Sequence, residues 1–349
     1  MRPGVLFVAC AALLSSSAGC AGCGQCVLGA LSGPINDPSN RALRRDILAS
    51  GIGKFCQEMV KHNAPLQLQA DAPAIGRFFP RTCSQQALEN GDLYVQFSGV
   101  GYAWTNLSKK VSFTMEGTVT YDPDFLMDGC TAYAYFRTRE VKGAHFTTLL
   151  IEQPIANFVN QLTPLGNQFG GQLVNAQLRQ GFTVIMESNQ QADFGLGMIE
   201  KGKRPMHPFD IHGAGKIQYE NIRSDVHVNE RDFVGPIVID DANRAIFVQA
   251  QLDGTQAVDV LFMNKQESDY LLDQYLQVAQ ATALPGPLSL GGDVIQAGVP
   301  YNGFRRVPPG TYYVVFDNST SAGQVAPAIN LLADPAATIS YAVQIGDAP

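Results

Sequence analysis

The sequence predicts an α+β N-terminal domain, an antiparallel sheet with two long helices, followed by an all-β sandwich domain. Three patterns lead there. Apolar residues recur at helical spacing over about 40–62, and again over 153–178, where no side chain is charged. Residues 111–120 alternate apolar and polar with period two, as a half-buried antiparallel strand requires. From about 220 the chain becomes short β segments separated by turn residues, with no strand–helix alternation to indicate a parallel sheet.

Composition sets the frame for these elements. A chain of 349 residues accommodates about two domains, because single cores rarely grow beyond ~250–300 residues. With 46% hydrophobic residues it has ample core material, which excludes a disordered chain. A net charge of −7 argues against nucleic acid as a partner, since that surface needs a cationic footprint.

Near its start the chain has Arg2 and then ten apolar residues, Val5 to Leu14, too few to span a bilayer core but suited to an export signal. Ser15, Ser16, Ser17, Ala18 and Gly19 then lead to Cys20. Small residues before a cysteine resemble the lipobox of bacterial lipoproteins, although Ser17 stands where that family usually has Leu. The resemblance implies removal of residues 1–19, acylation of Cys20 and a membrane partner held through the acyl chains. Cys23, preceded by Ala21 and Gly22, is the alternative site. With no Asp after the cysteine, the family's sorting rule implies an outer-membrane location, facing periplasm or cell surface. Residues 20–36 read as a flexible tether. Cys23, Cys26, Cys56, Cys83 and Cys130, an odd number, are expected to pair in such a compartment, and a Cys56–Cys83 bridge is one arrangement among several. The pair Cys23 and Cys26 lacks the strand–helix context of a redox motif and the second ligand pair of a zinc site.

The α+β domain is expected over 37–220. Its first helix begins near Asp37, Pro38 and Ser39, and its stripe consists of Leu43, Ile47, Leu48, Ile52, Phe55, Met59 and Val60. Gly51 and Gly53 weaken it by about 1 kcal/mol each. The second helix, over 153–178, has Ile155, Phe158, Leu162, Leu165, Phe169 and Leu173 on one face, with Asn and Gln opposite. Helix, antiparallel sheet and second helix together resemble the tubular lipid-binding superfamily over 40–200. That resemblance implies an apolar groove lined by Phe158, Leu162, Leu165 and Phe169; the plainer reading places the same stripe in a closed core.

The sandwich is expected over 221–349. Residues 246–252, 258–262, 311–316 and 339–345 read as its clearest strands, with a short helix near 268–281. Val258, Asp259, Val260 and Leu261, and the run from Pro309 to Val315, resemble pre-peptidase C-terminal β-sandwich domains over 245–346. The resemblance implies a non-catalytic accessory module.

Little reactive chemistry stands out. No Gly-x-Ser-x-Gly elbow occurs, and Gly213, Gly215 and Lys216 lack the rest of a phosphate loop. His207, Asp210 and His212 offer imidazole and carboxylate donors, but without helical ligand spacing they read as linker, with no metal. Asp122, Asp124 and Asp128 read as a turn rather than a calcium loop. Trp104 reads as core. The function expected is that of a non-enzymatic envelope lipoprotein with a structural or protein-interaction role and no cofactor. Lipid or other apolar-ligand binding is the first alternative, and an exported hydrolase the second.

Overall fold

The structure, a computed structural model, describes residues 32–53, 55–69, 71–105, 109–152, 174–187, 192–211, 215–253, 257–327 and 336–349. Among them the chain is mostly β, with fifteen strands, five short helices and two sheets. This overturns the expected α+β domain with two long helices. The longest described helix has 13 residues, and none is long and apolar enough to cross a membrane.

The N-terminal half is an antiparallel meander. Strands β1 (Ala64–Gln67), β2 (Ala74–Ala87), β3 (Leu93–Thr105), β4 (Lys109–Asp128), β5 (Thr131–Ile151), β6 (Phe182–Met186) and β7 (Ala192–Leu196) follow one another across the sheet. The alternation at 111–120 lies inside β4, whose 20 residues pair with β3 on one side and β5 on the other. One face is apolar: Phe78, Leu93, Val95, Phe97, Phe113, Met115 and Tyr121 share a buried cluster.

Short helices cover that face. The helix expected over 40–62 is two, α2 (Arg41–Ile52) and α3 (Phe55–Met59), following α1 (Ser32–Asn36). The break falls at the Gly51 and Gly53 region, where the backbone loses helix propensity and the apolar stripe can turn toward the sheet. Phe55 then packs among Tyr121, Phe136 and Phe182, with ring centroids 5.3–6.1 Å away. A Cys56–Cys83 disulfide staples α3 to β2, and the Gln85 carboxamide accepts from the Cys56 amide while donating to Ile52 O. Of the expected second helix, 153–173 lie outside the described residues and 174–180 form helix α4.

The carboxylates expected in a turn belong to a strand. β4 runs unbroken through Asp122, Asp124 and Asp128, whose even spacing puts all three on one face. Each meets a cation brought by another element: Asp122 meets Arg139, Asp124 meets Arg44 and Arg137, and Asp128 meets Lys201. The hairpin turns afterwards, at Gly129 (φ +56°) and the exposed free thiol of Cys130.

The C-terminal half is a two-sheet sandwich. Strands β8 (Lys216–Val226), β10 (Arg244–Asp253), β13 (Tyr301–Arg306) and β15 (Ala337–Asp347) form one layer in the order β13-β10-β15-β8. Strands β9 (Glu230–Ile239), β11 (Ala257–Asn264), β12 (Gly292–Gln296) and β14 (Gly310–Asn318) form the other. Val248, Leu252, Val260, Phe262, Val314, Phe316, Ile339 and Val343 fill the space between them.

A strand rung and a helix are among the features that join the halves. β8 and β2 meet through one parallel rung, Ala74 opposite Ser224, so a single sheet path runs through both halves. Helix α5 (Lys265–Gln277), which begins with a capping box between Asn264 and Glu267, packs Leu271, Leu272, Tyr275 and Leu276 against Val315 and Leu261 of the sandwich and against Phe79 and Tyr102 of the meander. Carbonyls at and just past its C-terminus are held from β4. The Lys110 ammonium donates to Val278 O (3.2 Å) and Ala279 O (3.3 Å) above the Tyr275 ring, and Ser112 Oγ donates to Leu276 O. A cation there also opposes the negative end of the helix dipole.

Lys110→Met keeps the apolar stem and removes the ammonium, leaving two carbonyls short of a donor. It is expected to lower unfolding free energy by about 1–3 kcal/mol in urea titrations, with the slope unchanged; an unchanged midpoint would show that the cap is idle.

Candidate functional site

Among the described residues, a dense group of buried ionisable side chains lies at the seam between the halves. Arg77 of β2 is fully buried, and all five guanidinium N–H groups are engaged. Nε and Nη2 make a bidentate pair with Asp232 of β9 at 2.5 and 2.8 Å. Nη1 meets both Glu220 oxygens at 2.9 Å and Asn63 Oδ1 at 2.7 Å, and Nη2 also donates to the Tyr341 hydroxyl. The Tyr102 hydroxyl donates to Asp232 and accepts from the Phe233 amide. Five strands, β2, β3, β8, β9 and β15, therefore converge on one cation.

Its electrostatics follow from that enclosure. Burial alone would lower the Arg77 pKa, but Asp232 and Glu220 outweigh it and hold the guanidinium charged. Burial, reinforced by the neighbouring Asp232 charge, raises the Glu220 carboxyl despite Arg77. Burial likewise raises the Tyr102 and Tyr341 hydroxyls, which remain neutral donors. Beside this group, Arg231 of β9 pairs with Asp317 of β14 at 3.0 Å, both fully buried, and donates to Thr282 O and Ser319 Oγ. Trp104 stacks on His227 at 3.5 Å and 4° next to the cluster. The crevice here holds about 10 Å³, room for one water and no substrate.

A second, open place lies where the chain passes from one half to the other. Residues 197–211 form an ordered strap. The Ile199 amide donates to Thr183 Oγ1 (2.9 Å), the Gly202 amide to the Tyr133 hydroxyl (3.0 Å), and Ile199 packs against Tyr133, Tyr135 and Ile185. Gly195 makes the approach possible, because a Cβ there would meet Ile199 at 2.3 Å. Farther on, Phe209 and Asn221 of β8 exchange two hydrogen bonds. Under the strap is a groove of about 340 Å³, lined by Glu187, Asp193, Arg204, His207, Phe209, Asp210 and Asn221 among others.

His207 crosses that groove. Its Nε2 lies 2.8 Å from Asp193 Oδ1 and its Nδ1 lies 2.7 Å from Asn221 O. Both partners accept, so both ring nitrogens must donate, and neither offers a lone pair to a metal. Burial pulls the His207 pKa down, but the Asp193 hydrogen bond and charge outweigh it and hold the imidazole above its ordinary value. Asp210 lines the same groove, while His212 lies outside the described residues. Among those described, no three His, Cys, Asp or Glu side chains are placed to hold a metal.

The remaining candidates, Cys20, Cys23, Phe158, Leu162, Leu165 and Phe169, all lie outside the described residues. Sequence reasoning missed Arg77, Asp232 and Glu220. The one available signal was a lone Arg within the apolar run from Ala74 to Pro80.

No family model and no curated relative matches the chain. Among solved structures it is similar to a glycoside hydrolase family 43 arabinoxylan arabinofuranohydrolase from Bacillus subtilis in complex with cellotetraose, at 9% identity and a TM-score of 0.21, over 75% of this chain and 67% of that one. Likeness of that degree carries no inference about fold or activity.

Removing Arg77 strands Asp232 without a counter-charge, whereas changing Glu220 to its amide keeps the bidentate pair. Arg77→Met is therefore expected to cost about 3–5 kcal/mol and Glu220→Gln at most about 1 kcal/mol by chemical denaturation. Equal losses would show that the cluster does not centre on Asp232.

Proposed function

We propose that this chain is a non-enzymatic bacterial envelope lipoprotein, anchored to the outer membrane by acylation at Cys20, with a structural or protein-interaction role. The observation that supports it most directly is how the charged groups are used. The buried Arg77 guanidinium is wholly engaged by acceptors from both halves, chief among them Asp232 and Glu220, and the Arg231–Asp317 pair ties two neighbouring strands of one sheet, beside a crevice too small for a substrate. A molecule built this way suits a rigid spacer or platform better than a catalyst. The segment before Cys20 supplies the export and anchoring half of the reading, and the Cys56–Cys83 disulfide is in keeping with an oxidising compartment.

Two acyl chains or more hold a protein stably where one alone binds marginally. Cells fed a tagged fatty acid are expected to label the wild-type chain, and Cys20→Ser is expected to abolish both label and membrane association. Label that persists in that variant and vanishes in Cys23→Ser would move the anchor to Cys23; an unlabelled wild type would overturn the lipoprotein reading. Native mass spectrometry after gentle extraction is expected to show bound protein, and a stoichiometric bound lipid would favour apolar-ligand binding instead.

A further inference from the structure

The strap over 197–211 is fastened to both halves at one side chain. Toward β7, His207 Nε2 meets a carboxylate; toward β8, Nδ1 meets the Asn221 main-chain carbonyl. The Asn221 side chain holds the strap a second time, accepting from the Phe209 amide and donating to the Phe209 carbonyl. His207 and Asn221 thus close a ring of contacts, with the open groove beneath it. We propose that His207 is a proton-dependent latch: as an imidazolium it clamps the strap to β7 and β8 together, and on losing one proton it releases the strap from one of them.

The chemistry follows from the two acceptors. A neutral imidazole has one N–H and one lone pair, so it can satisfy Asp193 or the Asn221 carbonyl, and its lone pair then faces the oxygen of the other. The charged groups around the ring are Asp193 from β7, Glu187 just beyond β6 in an ion pair with Arg204, and Arg204 and Asp210 from the strap itself; β8 adds the neutral Gln218 and Asn221. Arg204 opposes the imidazolium and Asp193 favours it, and Asp193 is the one in contact. Because the folded-state pKa lies above the ordinary 6.5, the stabilisation is complete below that value and is lost as pH rises through the folded-state value. The strap is therefore fastened below the ordinary value and loosens as pH rises through the folded-state value. This device is independent of how the protein is anchored.

Two measurements on the intact protein test it. Nitrogen-detected NMR of the imidazole is expected to find both nitrogens protonated at about pH 6.5. Hydrogen exchange of the Phe209 amide, corrected for intrinsic pH dependence, is expected to lose protection progressively between pH 6 and pH 9. Asp193→Asn puts a carboxamide opposite Nε2, which a neutral ring can satisfy, so its Phe209 protection is expected to be flat over that range. A neutral ring in the wild type at about pH 6.5, or the same pH-dependent loss in Asp193→Asn, would overturn the latch.

Discussion

A guanidinium with no access to water is the constraint around which the two halves are arranged. Moving such a charge out of water costs several kcal/mol even after relaxation, and the cost is offset only where counter-charge and acceptors surround it. Arg77 meets that condition with every N–H engaged, by groups from the meander (Asn63) and from the sandwich (Asp232, Glu220, Tyr341). Separating the halves would expose the arginine while leaving Asp232 and Glu220 half-enclosed without a partner. The sheet path itself offers little resistance at this point, since β2 and β8 share one rung. The ion cluster, more than the ladder, fixes how the sheets meet.

Other contacts fall into place around that seam. Helix α5 leaves the sandwich after β11 and lies across both halves, its apolar side on Phe79, Tyr102 and Val315. A free helix end in that position would leave carbonyls unpaired in a poorly hydrated place, and Lys110 and Ser112 of β4 supply the donors. The strap makes the third crossing, lighter than the others, with polar and titratable fastenings above an open groove. A buried, charge-locked centre and a margin held by polar fastenings coexist in one molecule.

Local pattern revealed single strands well and their partners poorly. The alternation at Val111, Phe113, Met115 and Val119 marks β4 because each side chain reports its own burial. The same strand was illegible from Asp122 onward. Acidic residues beside Pro123 resemble a turn, and the cations that make them tolerable, Arg44, Arg137, Arg139 and Lys201, come from other elements. Helical spacing over 40–62 found the residues from Leu43 to Met59 that meet the sheet, but it included the exposed Val60 and merged α2 and α3, since the stripe continues across the Gly51 and Gly53 region. Arg77 was beyond reach: its acceptors lie 143 and 155 residues away, and no local spacing records that meeting. His207 was visible as a donor in the run toward His212, yet its role depends on Asp193 and the main chain of Asn221, fourteen residues away on either side.

If the buried arginine welds the halves, they cannot unfold separately, and scanning calorimetry of the purified protein measures that directly. One transition is expected, with the calorimetric and van't Hoff enthalpies equal. Two resolved transitions in the wild-type protein, or a calorimetric enthalpy well above the van't Hoff value, would contradict the account.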